Sequence, residues 1–129
     1  MLFPGGNFKG RSKQPKIDIV AYKQNSPVAL LSCRWRFRHD RVDVIDEAQN
    51  YVPIARRQFA NCRFYACVGE FSAARLDKIL KNAAPSDKNP LIDACVHFAP
   101  RLLTEGLGEN GRLQHIKGLD WLAEESKSW

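Results

Sequence analysis

A chain of 129 residues is long enough for one hydrophobic core and too short for two. Its 44% hydrophobic and 26% charged residues exclude wholesale disorder, and no apolar run approaches the roughly 18 residues of a membrane helix. The net charge of +6 is unevenly placed: residues 1–41 hold nine Lys/Arg against two acids, a balance of +7, and residues 42–129 hold eleven against twelve, a balance of −1. With a pI near 9.4, that asymmetry fits a polyanionic partner. Nucleic acid leads, because the basic residues continue into an apolar strand where a solvated tail does not explain them.

Residues 1–16 are rich in Gly, Pro and Lys and read as a basic irregular arm carrying Lys9, Arg11, Lys13 and Lys16. Their start, Met1-Leu2-Phe3-Pro4-Gly5-Gly6, lacks the apolar stretch of a secretory signal, so a cytoplasmic location is expected. The four cysteines, at 33, 62, 67 and 95, form no CxxC pair, which favours buried free thiols over a zinc site.

Ile17-Asp18-Ile19-Val20-Ala21-Tyr22 has strand composition, with Asp18 as a carboxylate in apolar company. Turn chemistry follows at Lys23–Pro27, then a second strand over Val28–Trp35, so a hairpin is expected with Trp35 in the core. After the basic stretch Arg36-Phe37-Arg38-His39-Asp40-Arg41, apolar positions at 44/45, 48, 51/52, 55 and 59 have helical spacing. Pro53 should kink or restart that helix. Arg63–Val68 reads as a third strand, and Ser72 as the N-cap of a helix over Ala73–Asn82. Residues 83–90 read as a loop, and Cys95–Phe98 as a fourth strand. A final amphipathic helix is expected over 112–125, through Leu113, Ile116, Leu119 and Leu122. His97 and His115 lack ligand spacing and read as structural. The order β-β-α-β-α-β-α predicts an α/β fold with a central mixed sheet flanked by helices.

Asp18 is costly to bury unless paired or bound to a cation. Alternation along the second strand puts Ser32 and Arg34 on one face, and Asp46 and Glu47 open the next helix within reach of that strand end. Hard-cation chemistry on a phosphodiester needs such oxygen ligands beside a positive group.

Asp18 followed by Ser32-Cys33-Arg34-Trp35-Arg36-Phe37-Arg38-His39-Asp40-Arg41 and then Asp46-Glu47 resembles the PD…(D/E)xK core of the restriction-endonuclease-like nucleases. It is most similar to type II restriction endonucleases whose motif reads Ser-Cys-Lys-Trp with a displaced Glu on the following helix. The resemblance covers about residues 15–80. It implies a nuclease-like α/β domain over 17–129 and a Mg²⁺-dependent DNA endonuclease, with Mn²⁺ as a substitute ion. Asp18, Arg34 and Glu47 would be catalytic. Asp18, Glu47 and the Cys33 region, through backbone oxygen, would hold metal. Lys13, Lys16, Arg36, Arg38 and Arg41 would grip the DNA, and a homodimer follows by analogy. Ile17 stands where the family has proline, Ser32 where it has an acid, and Arg34 where it has lysine. Arginine is wider than lysine and keeps its proton, so weakened cleavage is expected. The alternative is a non-catalytic DNA-binding protein on the same fold; an RNA- or protein-binding adaptor rests on charge alone. The stretch before residue 17 is short for the sequence-reading elements of a full restriction enzyme, so the chain reads as a minimal core or a remnant.

Overall fold

A computed structural model describes residues 17–35, 43–84, 87–103 and 112–129. The basic arm over 1–16 and the arginine-rich stretch over 36–41 lie outside the described residues. Strands β1 (Ile19–Lys23), β2 (Ser26–Arg34), β3 (Arg63–Val68) and β4 (Ala94–His97) form one sheet in the order β1-β2-β3-β4. β1 runs antiparallel to β2, whereas β2, β3 and β4 run parallel. The fold is therefore α/β, with a mixed four-stranded sheet.

The hairpin turn is tighter than the sequence suggests. Gln24 and Asn25 both take positive φ, 52° and 67°, as a two-residue turn matched to strand twist requires. β2 consequently starts at Ser26 and includes Pro27, which faces Tyr22 at a register shift, where a missing N–H does little harm.

Helices α1 (Asp43–Gln58) and α2 (Ala73–Lys81) make the crossovers β2-α1-β3 and β3-α2-β4. Two crossovers advancing in one direction place both helices on one face. There Val44, Ala48, Val52 and Ala55 of α1 and Leu76, Ile79 and Leu80 of α2 pack on Leu30, Phe64, Ala66 and Val68. The expected interruption at Pro53 does not occur. Pro53 sits on the exposed side of α1, so the carbonyl it leaves without a donor can turn to water. Ser72 caps α2 as expected, its hydroxyl accepting from the Arg75 N–H.

The other face of the sheet buries Ala29, Leu31, Tyr65, Cys67, Ala94 and Val96 under α3 (Leu119–Ser126) and the C-terminal Trp129. Tyr65 stacks with Trp129 and meets Trp121 edge-on, and its hydroxyl accepts from Trp129 Nε1 at 3.0 Å. The single helix expected over 112–125 is two pieces, a 3-10 turn at Arg112–His115 and then α3. Between them Lys117 bonds to the outer edge of β4, its N–H to Cys95 O and its carbonyl to the His97 N–H. Gly118 then starts α3 in extended backbone. Covering an edge strand blunts its capacity to pair with another chain, which outweighs helical periodicity here.

The four cysteines are free thiols. Burial pushes Cys67 and Cys95 up to about 12 and Cys62 up to about 11. Among the described residues no helix is long and apolar enough to cross a membrane.

Candidate functional site: a carboxylate pair closed by arginine

The sheet topology brings the sequence-predicted residues to one place. Because β1 is antiparallel to β2, the residue before β1 lies beside the end of β2, and Asp18 Oδ2 accepts the Cys33 N–H at 2.8 Å. Alternation along β2 turns Ser32 and Arg34 toward the α1 face. Buried Ser32 donates its hydroxyl to Glu47 Oε2 at 2.8 Å. Glu47 lies in the second turn of α1 with only 12% of its side chain exposed. Asp46, its neighbour, is exposed on the helix.

Arg34 occupies the centre. Its Nη1 donates to Asp18 Oδ2 at 3.1 Å and to the Cys33 carbonyl at 3.0 Å, and its Nη2 donates to Glu47 Oε1. One guanidinium thus joins two carboxylates and a backbone oxygen, a geometry its planar fork permits. Asp18 is not buried as its apolar neighbours suggest. It is 41% exposed at the rim, and the cation beside it, rather than depth, explains its pairing.

These oxygens are of the hard kind a divalent cation takes. They are also the three groups that the Arg34 guanidinium already holds. In this structure the Arg34 guanidinium takes the position between the carboxylates that a divalent ion would need. Among the described residues no group of three or more His, Cys, Asp or Glu side chains is clustered for metal.

Cys33 contributes its backbone to the site through its N–H and its carbonyl. Its thiol is raised above the ordinary value by burial first and by the Asp18 charge second. The nucleic-acid contacts expected from Lys13, Lys16, Arg36, Arg38 and Arg41 lie outside the described residues.

Two features escaped the sequence. Trp35, expected in the core, is 64% exposed and stacks on Phe98, with ring centroids 6.0 Å apart and planes 13° from parallel. β2 ends one residue earlier than its apolar run, so Trp35 leaves the packed layer and lies across the strand ends. Glu70 is buried just beyond β3. Its carboxylate accepts from the Phe71 and Ser72 N–H groups and from Arg75 Nη1, and its carbonyl lies 2.8 Å from His97 Nε2. The Ala99 N–H donates to His97 Nδ1, so Nε2 carries the ring proton. An acid placed between a strand and the N-cap Ser72 was the only signal for Glu70. His97 is buried, with both ring nitrogens against backbone groups.

An open cleft of about 620 Å³ lies at the opposite end of the sheet, lined by Cys62, Arg63, Lys88 and Asp93 among others. The site argued from chemistry is not there. The carboxylates and Arg34 instead stand at the carboxyl end of β2, the end at which open α/β sheets bind ligands. No protein-family model, curated protein or solved structure matches the chain.

Proposed function

We propose that this chain is a DNA-binding protein on a restriction-endonuclease-like core, whose cleavage is weak because Arg34 stands in the cation's place between Asp18 and Glu47. The observation that carries this reading is the one guanidinium bonded to both carboxylates and to the Cys33 carbonyl. A permanently charged group there offsets one of the two carboxylate charges and occupies oxygens of both without an ion. DNA as the partner rests on the +7 balance of residues 1–41, with Lys13, Lys16, Arg36, Arg38 and Arg41 on the phosphates. A homodimer accords with how restriction-type nucleases engage two strands.

The second reading, a Mg²⁺-dependent endonuclease, is favoured by the convergence of Asp18, Glu47 and the Cys33 carbonyl at one point. It requires Arg34 to withdraw from those oxygens.

Binding to a labelled DNA in EDTA, titrated with salt, tests the proposal. Log affinity should fall linearly with log salt, by roughly 0.9 per neutralised phosphate on a duplex. Arg36→Ala with Arg38→Ala should flatten the slope by about two phosphates' worth. Affinity that ignores salt would remove DNA as the partner.

A further inference from the structure

We propose that Trp35, seated on Gly69 and Phe98, is a stacking platform for an unpaired nucleobase, so that this chain prefers single-stranded to duplex nucleic acid. The inference rests on the DNA-binding reading and adds which form of nucleic acid the site takes.

The seat is built for the indole. A Cβ at Gly69 would stand 2.6 Å from Trp35 Cε3 and 2.9 Å from Cζ3, so any larger residue there would lift the ring. The φ of Gly69 lies outside the left-handed region, so its backbone conformation does not demand glycine; the indole above it does. Backbone hydrogen bonds lock the supports together. The Gly69 N–H donates to the Arg34 carbonyl and the Phe98 N–H to the Val68 carbonyl, both at 3.0 Å, joining the ends of β2, β3 and β4.

What remains is a fixed ring with an open surface. Trp35 is the most exposed large hydrophobic side chain among the described residues. The other two tryptophans, Trp121 and Trp129, are spent on Tyr65. In the sequence Arg36, Arg38 and Arg41 follow Trp35 within six residues. An exposed aromatic side chain followed in the sequence by three arginines matches a base joined to its phosphate. Bases inside a duplex already stack on each other, so only an unpaired or extruded base offers its face. The chemistry is common to single-stranded DNA and RNA.

The test measures anisotropy of labelled oligo-dT, oligo-U and a duplex of equal length, in EDTA at fixed salt. Wild type should bind the single strands more tightly than the duplex. Trp35→Ala should lose about 5- to 100-fold of single-strand affinity, the scale of one base–aromatic stack, and leave duplex affinity unchanged. Trp35→Phe should restore most of the loss, and Gly69→Ala should reproduce part of it. The stronger of the oligo-dT and oligo-U responses identifies the source of the strand. Single-strand affinity that survives Trp35→Ala, while wild type binds nucleic acid, overturns the platform and leaves the DNA-binding reading standing. A dimer in sedimentation that Trp35→Ala dissociates, with strand affinity unmoved, gives the ring to a second copy and likewise overturns it. No binding to any of the three probes overturns the DNA-binding reading and the platform with it.

Discussion

Arg34→Lys should raise cleavage of supercoiled plasmid in Mg²⁺ or Mn²⁺ by about ten- to a thousand-fold over wild type, the scale of one well-placed catalytic group. Arginine at this position bridges Asp18, Glu47 and the Cys33 carbonyl at once. A lysine ammonium is one compact charge on a flexible stem and lacks the planar fork that reaches Asp18 and Glu47 through separate nitrogens. The substitution keeps a positive group near the phosphate and releases carboxylate oxygen that the guanidinium held. DNA affinity in EDTA should change little, because the net charge is unaltered. Wild type that cuts briskly, with Arg34→Lys no faster, would mean that arginine is competent and that the closed carboxylate pair is the wrong account.

Arg56→Met should cost about 2 kcal/mol of stability, seen as a lower urea midpoint at unchanged slope and a melting temperature lower by about 8 °C. Arg56 ties the end of α1 to the segments entering β3 and β4. Its Nε donates to Cys62 O, its Nη1 to Pro90 O and its Nη2 to Leu91 O and to Asp93 Oδ2. The same Asp93 oxygen accepts the Phe64 N–H at 2.8 Å. Methionine keeps an apolar stem and removes every donor, stranding three carbonyls and leaving Asp93 without its ion pair. Both side chains are 27% exposed, so water can replace part of the loss, and the cost falls below that of a wholly buried pair. An unchanged midpoint would show that the fork is ornamental to folding.

Some elements were legible because one local cause decided them. Arg63–Val68 is a strand with the bounds its composition sets, and Ser72 caps α2 because a hydroxyl there satisfies an orphan N–H. Asp18, Ser32, Arg34 and Glu47 were legible as a group: period-two alternation fixed the face of Ser32 and Arg34, and antiparallel pairing had to return Asp18 to the end of β2. What failed depended on distant partners. Pro53 is tolerated because it faces solvent, and the C-terminal helix breaks at Lys117 because β4 offers that backbone two hydrogen bonds. Trp35 left the core because Gly69, thirty-four residues on, provides a flat seat that no hydrophobicity pattern around Trp35 records. The bridging role of Arg34 was equally hidden, since sequence places a charge but not the three acceptors it meets.

The most direct measurement of the closed site is DNA affinity of wild type in EDTA against the same buffer with Mg²⁺ at matched ionic strength. A guanidinium that already holds the oxygens of Asp18 and Glu47 leaves the ion no open place between them, and Mg²⁺ competes for phosphate. Affinity should therefore be equal or lower with Mg²⁺. A gain in affinity with Mg²⁺ that Asp18→Asn abolishes would place the ion between the carboxylates and contradict the account.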